Sequence, residues 1–398
     1  MRLLSFGHMP TWAGGLQNSG LANVIYQLAK HISELNGANV ALAATDSFVI
    51  ERKDGNLLIL GWTRLNLIRF ILLHPILALI TGYRLHVLKK KFNINESFSG
   101  LFFKRIFFLQ STIRHNPEII HLHDPGAIWY LDLVPKSSKV CITFHGLCGT
   151  DGNRPQRKVL YDIEKELFHS DKIDAYFFIC SLLVPQFVAT YGENSKPKIV
   201  IYNSYDNTKF YYSNVTKNTI KKSTINLCTL ASLSDIKGQF RVLQALARLE
   251  DKNRFKYFCI GDDVNKYSEK LISFAAANDV DFEYMGRMSP DNIRENLVKF
   301  DYMIMPSSSE GFGLTYLESI ACGVPVILPQ NIPIAFEESL INRANSIKLD
   351  DCGVTAIKHV LSTIDSYKFD KELVSMSLNG MNWDSISRQY YNEFSKFI

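Results

Sequence analysis

Short apolar runs rich in β-branched and aromatic residues alternate with helix-period segments along almost the whole chain. In the first half the runs are Leu3–Phe6, Val40–Ala44, Leu57–Leu60, Ile119–Leu122, Val140–Phe144, Tyr176–Cys180 and Lys198–Ile201. In the second half they are Ile225–Leu230, Tyr257–Ile260, Phe282–Met285, Tyr302–Met305 and Val324–Leu328. Continuous apolar runs separated by helices predict parallel strands buried on both faces. After a glycine-containing loop, Leu21, Val24, Ile25, Leu28, Ala29, Ile32 and Leu35 recur at helical spacing, so the first strand opens a βα unit. The stretch 206–223 is polar, without sustained periodicity, and reads as an interdomain connection. The pattern therefore predicts an α/β protein of two Rossmann-like, doubly wound domains, the first over 1–205 and the second over 206–378, with 379–398 as a closing segment.

The 398 residues exceed what one hydrophobic core organises, in keeping with two domains. Apolar residues at 46% and charged residues at 21% argue against disorder and fibrous classes. A net charge of +5 without a dense Lys/Arg stripe argues against nucleic acid as a partner and leaves an anionic small molecule or a membrane surface. None of the seven cysteines forms a C-x-x-C pair and most lie in apolar runs, which reads as buried thiols in a reducing cytosol. The first residues lack the features of a secretory signal, and the longest uncharged apolar run, between Arg69 and Arg84, is shorter than the roughly 20 residues of a spanning helix. A cytoplasmic protein without a transmembrane segment is expected.

The densest chemistry lies in 301–328, DYMIMPSSSEGFGLTYLESIACGVPVIL: a strand, a Ser-rich turn, Glu310, a Gly311-Phe312-Gly313 corner, a helix from about Leu314 carrying Glu318, and another strand. The glycines permit a tight turn and close approach to a ligand, and the following helix aims free N–H groups at it, as a phosphate site requires. Eight residues of helix would separate Glu310 and Glu318 by about 12 Å. That distance is too long for an acid–base pair on one bond, but suits two carboxylates bracketing an extended ligand.

These residues resemble the retaining glycosyltransferases of family 4, which have the GT-B fold: two Rossmann-like domains facing a central cleft, with a C-terminal helix returning to the first domain. The resemblance implies that Glu310 contacts the donor sugar, Glu318 the ribose, and the amides of Gly311, Phe312, Gly313 and Leu314 the phosphate. It further implies that Lys237, in Lys237-Gly238 between a strand and a helix, grips the diphosphate, and that His145, in Phe144-His145-Gly146, reaches the donor sugar. Gly14-Gly15 matches the family's N-terminal glycine loop, and the closing MNWDSISRQYYNEF its last helix. Implied are a nucleoside-diphosphate sugar as donor, a glycan or lipid-linked glycan as acceptor, retention of configuration, no metal and no further cofactor. Bacterial surface polysaccharide or lipopolysaccharide assembly is the implied setting.

Two departures stand out. Ala231-Ser232 occupies the place of the family's Gly-Arg, so Ser232 replaces one of the two cations at the diphosphate, leaving Arg241 and Arg287 as candidates to compensate. Tyr202-Asn203-Ser204 stands where the family has Asn-Gly. On Ser232 rest the alternatives of a non-catalytic GT-B partner or glycan-binding subunit; a sugar-nucleotide epimerase on the same fold is the other. Asp279-Val280-Asp281 has a D-x-D spacing but reads as a turn, and His121-x-His123-Asp124 as a polar strand end lining the cleft rather than a metal site. Motifs of P-loop enzymes, dinucleotide oxidoreductases and α/β-hydrolases do not occur.

Residues 64–115 carry nine Lys/Arg, among them Lys89, Lys90 and Lys91, against the single acid Glu96, interleaved with Phe and aliphatic residues. That combination predicts peripheral contact with an anionic membrane, on the inner face of the cytoplasmic membrane, with a solvated rim around a domain core as the alternative.

Overall fold

The computed structural model describes residues 1–17, 19–46, 49–150, 156–213 and 224–398. Residues 214–223 of the predicted connection lie outside the described residues. The chain divides into two compact units, Met1–Asn203 with Trp383–Ile398, and Ser204–Asn382.

Unit 1 contains β1 (Arg2–Gly7), β2 (Asn39–Ala44), β3 (Arg52–Asp54), β4 (Leu57–Leu60), β5 (Ile119–His123), β6 (Lys139–Phe144), β7 (Ala175–Phe178) and β8 (Lys198–Val200). They form one sheet in the order β3-β4-β2-β1-β5-β6-β7-β8. Every described pairing is parallel except β3 with β4. The central strands are buried on both faces, which is why their sequences read as unbroken apolar runs. The helices are α1 (Gly20–Ser33), α2 (Arg64–Leu73), α3 (Pro75–Phe92), α4 (Phe98–His115), α5 (Arg157–Phe168) and α6 (Leu183–Tyr191). Ser19 caps α1 by accepting from Ala22 N at 3.2 Å, and Lys30 and His31 sit in its last turn, where cations favour the dipole.

Unit 2 contains β9 (Ile225–Leu230), β10 (Phe255–Ile260), β11 (Phe282–Tyr284), β12 (Tyr302–Ile304), β13 (Val326–Pro329) and β14 (Ser346–Leu349), all parallel, in the order β11-β10-β9-β12-β13-β14. Its helices are α7 (Gln239–Leu246), α8 (Tyr267–Ala277), α9 (Pro290–Leu297), α10 (Leu314–Ala321), α11 (Val354–Ser362) and α12 (Lys371–Met376). Leu227, Tyr257 and Ile304 of the sheet share a core with Val242 and Leu246 of α7 and Ile357 and Leu361 of α11.

The last helix, α13 (Trp383–Ser395), belongs to unit 1. Tyr390 stacks on Phe177 of β7 at 5.0 Å between centroids, and Phe394 packs edge-on against the same ring. His31 of α1 meets Asp384 at 2.8 Å, and Tyr391 Oη donates to Asn36 O. The stretch predicted as a connection is structured over its described part: Asp206–Phe210 closes a turn through Phe210 N to Asp206 O at 2.9 Å, and Arg294 stacks over Tyr211.

Candidate functional site

In a doubly wound sheet the strand order reverses at one point, and the loops there diverge to open a crevice beyond the carboxyl ends of the strands. In unit 2 the reversal lies between β9 and β12. Lys237 follows β9, Glu310 follows β12, and the two side chains meet, Nζ to Oε1 at 2.6 Å, with Glu310 8% exposed and Lys237 26%. The two loops are tied elsewhere as well. Ser308 N donates to Ile236 O at 2.8 Å, and the Arg241 guanidinium donates to Asp235 O at 2.8 Å and Pro306 O at 2.6 Å. Gly238, at φ 82°, lets them come this close, since a Cβ there would lie 2.6 Å from Pro306 O.

Beyond Glu310 the corner is rigid. Phe312 is buried, and Gly313 caps α10 at φ 91°, where a Cβ would strike the Tyr316 ring at 2.6 Å. Tyr316 is itself fixed by its hydroxyl donating to Met305 O at 2.7 Å. A glycine cap supplies no side-chain acceptor, so the first-turn amides of α10 suit an anion. The helix begins only at Leu314, so the helical rise expected between Glu310 and Glu318 does not apply: Glu310 sits in the loop and Glu318 on the second turn. Burial, reinforced by Asp206 and opposed by Lys209, pushes the Glu318 carboxyl up to about 7.

Ser232 is exposed at the end of β9, its carbonyl accepting from Gln239 Nε2 at 3.1 Å. Of the two candidate compensating cations, Arg241 is a brace, its terminal nitrogens spent on loop carbonyls. Arg287, one residue after Gly286, is 56% exposed and only loosely paired with Asp262 at 3.4 Å. Asp279-Val280-Asp281 forms the turn into β11, with Asp279 at φ 52°.

In unit 1 the order reverses between β1 and β5. The loop after β1 turns through Gly14 at φ 81° and Gly15, where a Cβ would lie 2.0 Å from Met9 O. His8 Nδ1 lies 3.0 Å from Asp46 Oδ1, and Asp46 Oδ2 accepts from Met9 N at 3.2 Å. Burial raises the Asp46 carboxyl, but the bonds from His8 and Met9 outweigh it and leave it below the usual range. After β5, Asp124 adopts φ 53° and ψ −173°, a region that costs a non-glycine residue about 1–3 kcal/mol. Its Oδ1 accepts from His145 N at 2.8 Å.

His145, at the end of β6, places Nε2 3.1 Å from His123 Nδ1. Burial pushes His145 down to about 3, so near neutral pH it is a neutral hydrogen-bonding group and not a proton donor from the imidazolium form. His123 is buried, and its Nε2 lacks a hydrogen-bond partner among the described residues. With His8, Thr45, Lys104, Asp124 and Tyr130 it lines a cavity of about 240 Å³. His121 corrects the sequence reading: it is interior, bonded to Thr143 Oγ1 at 2.7 Å and packed against Tyr390 and Phe394, rather than lining an opening. Sequence reasoning also passed over His8, Asp46 and Glu164, which accepts from Cys148 N, Gly149 N and Tyr191 Oη and so holds the loop after His145. All three act through partners distant in the chain, so no local pattern marks them.

Residues 18–209 match the family described as Glycosyltransferase Family 4, and residues 213–338 match that described as Glycosyl transferases group 1. The chain belongs to glycosyltransferase family 4. Among curated relatives of this family 4 chain is the O-antigen biosynthesis glycosyltransferase WclY of Escherichia coli, 33% identical over 149 residues, a match spanning 36% of this chain and 40% of that protein. The chain thus matches less than half the length of that relative. Among solved structures, sucrose-phosphate synthase of Thermosynechococcus elongatus superposes at a TM-score of 0.74 with 13% identity, covering 100% of this chain and 99% of that one. Anabaena HepE in complex with UDP and glucose superposes at 0.67 with 13% identity, covering 100% of both chains. At such identities these structures establish the GT-B fold of this family 4 chain.

Proposed function

We propose that the protein is a glycosyltransferase that moves a sugar from a nucleoside diphosphate to a hydroxyl of a glycan or lipid-linked glycan during lipopolysaccharide or O-antigen assembly, with retention of configuration. The observation that carries this is the Lys237–Glu310 contact at the strand-order reversal of unit 2, beside the glycine-capped start of α10. When the glycosidic bond breaks, negative charge grows on the diphosphate and positive charge on the sugar carbon. Lys237 and the first-turn amides of α10 answer the former, and the Glu310 carboxylate answers the latter and orients the sugar hydroxyls. Glu318 accepts from the ribose. In unit 1, the neutral His145 hydrogen-bonds the sugar, and Gly15 permits close backbone approach.

The family membership, the relative named for O-antigen biosynthesis and the neighbour that binds UDP with glucose support this reading, and make a UDP-sugar the first donor to try. Because Lys237 and the helix terminus supply the positive charge, transfer should need no metal. The test is a thermal-shift panel of nucleoside diphosphates and their sugars, since binding raises apparent stability by mass action. Transfer assays with and without a chelator then follow, with the anomeric configuration of the product read by NMR. A flat panel, or an inverted product, rejects the proposal in whole or in its stereochemistry. Ser232, with Arg241 committed to carbonyls, favours a second reading, a partner that binds glycan without turnover; donor binding with no transfer to any acceptor would select it.

A further inference from the structure

Helices α2 and α3 are apolar on two opposite faces. On α3 the inward positions are Ala78, Thr81, Leu85 and Phe92, and Gly82 brings the helix against Phe102 of α4. At about 100° per residue, Ile76, Leu79, Ile80, Tyr83 and Val87 project from the opposite side, and all are exposed, Leu79 to 74% and Tyr83 to 70%. The same holds for α2, where Leu67 and Phe70 are buried while Leu65, Ile68, Leu72 and Leu73 are exposed. Large apolar side chains usually surface singly. Here nine crowd into residues 65–87.

The charges around them have one sign. Residues 64–95 contain no Asp or Glu. Of the cations, Lys91 is paired with Glu166, Lys89 donates to Glu96 O and Arg84 donates to Asp132 O at 2.8 Å, whereas Arg64 and Lys90 are exposed toward solvent. On α3 the helical period puts Arg84 on one flank of the apolar stripe and Lys90 in line with it, about one turn beyond Val87. An apolar surface with cations at its two ends, Arg64 and Lys90, and with no acid to complement a basic protein surface, matches the boundary of an anionic bilayer. No described helix is by itself long and apolar enough to cross a membrane, and α2 and α3 meet at 112°. With one face of α3 committed to α4, the pair suits lying on a bilayer rather than spanning it.

We propose that the α2–α3 corner is a membrane-docking element that lays Leu72, Ile76, Leu79, Tyr83 and Val87 into the headgroup boundary of an anionic bilayer while Arg64 and Lys90 meet lipid phosphates. The inference is independent of the sugar-transfer reading. Flotation of the full chain with vesicles of mixed phosphatidylglycerol and phosphatidylcholine tests it, with pure phosphatidylcholine as the control. The protein should float with the anionic vesicles, and rising salt should release it. Leu79→Ser with Tyr83→Ser, and separately Arg64→Ser with Lys90→Ser, should each lower partitioning at least about tenfold, at roughly fivefold per cation for the second pair, with the melting temperature unchanged because the side chains are exposed. Tyr83→Trp should add fluorescence that brominated acyl chains quench. Equal binding to neutral vesicles, an added fluorescence in Tyr83→Trp that the brominated chains leave unquenched, or a concentration-dependent dimer that the Leu79/Tyr83 variant dissolves without any vesicle binding would overturn the proposal, the last by assigning the face to a second copy of the chain.

Discussion

Lys237→Ala asks more of the candidate site than any other single change. Lys237 and Glu310 touch at 2.6 Å with Glu310 nearly buried, so the ammonium neutralises that carboxylate and, under the proposed function, also meets the donor phosphate. Loss of one charged stabiliser of a developing anion costs about 2.7–4 kcal/mol, or roughly 100- to 1,000-fold in kcat. The same change leaves the Glu310 carboxylate unopposed where an anionic donor must bind, and like charges about 4 Å apart repel by several kcal/mol at the effective dielectric of a protein surface. Adding Glu310→Gln removes that repulsion, so the double variant should bind donor more tightly than Lys237→Ala alone, by a coupling of about 0.5–3 kcal/mol. Calorimetric titration of the four proteins of this cycle with the donor found by thermal shift gives the affinities, and single-turnover transfer gives the rates. Independent, multiplicative losses, or near-wild-type turnover in Lys237→Ala, would refute the assignment of the diphosphate and sugar contacts to this pair.

Glu318 should impose a pH dependence on donor affinity. Its carboxyl is held up at about 7 against an ordinary 4.5, and a ribose needs the ionised form as acceptor, so UDP-sugar affinity should fall by up to about tenfold per pH unit below 7 and become flat in Glu318→Gln. For stability the sign is opposite: the folded state holds the extra proton between pH 4.5 and 7, so this group's contribution declines as pH rises through that window, which melting of wild type against Glu318→Gln will read. Arg241→Met keeps the apolar stem but drops the bonds to Asp235 O and Pro306 O; at about 1–3 kcal/mol the melting temperature should fall by several degrees and kcat with it, whereas unchanged activity would show that Lys237 needs no brace. Gly313→Ala should lose donor binding, because φ 91° and a Cβ 2.6 Å from Tyr316 force the start of α10 to move, and an unaltered affinity would disconnect that terminus from the donor.

The strands of both sheets were legible because parallel strands buried on two faces must be continuous apolar runs, and the twelve expected strands all formed, with ends shifted by a residue or two. Two others escaped. β3 reads Arg-Lys-Asp and exists only through antiparallel pairing with β4, while β14 is a four-residue edge whose Lys348 interrupts the apolar run. At the candidate site, the glycine corner and the loops after β9 and β12 were visible as local motifs. The brace by Arg241 was not, since nothing in its own neighbourhood says that its guanidinium reaches Pro306. His121 misled for the converse reason: a polar residue near a strand end looks exposed until the Tyr390 and Phe394 rings, from the far end of the chain, are laid over it.

That distant origin of α13 bears on how the protein is made. The N-terminal unit leaves the ribosome first yet is finished last, because Asn203 and Trp383, where its two stretches break off and resume, are separated by the whole of the other unit. At about 5–20 residues per second, synthesis of the intervening segment takes roughly 10–40 s. Throughout that interval the patch of the sheet at His121 and Phe177 lacks α13, whose Tyr390 and Phe394 cover it. A nascent chain in this state presents an aromatic surface to chaperones and to other nascent copies, and its escape from aggregation depends on how soon Trp383–Ile398 arrives.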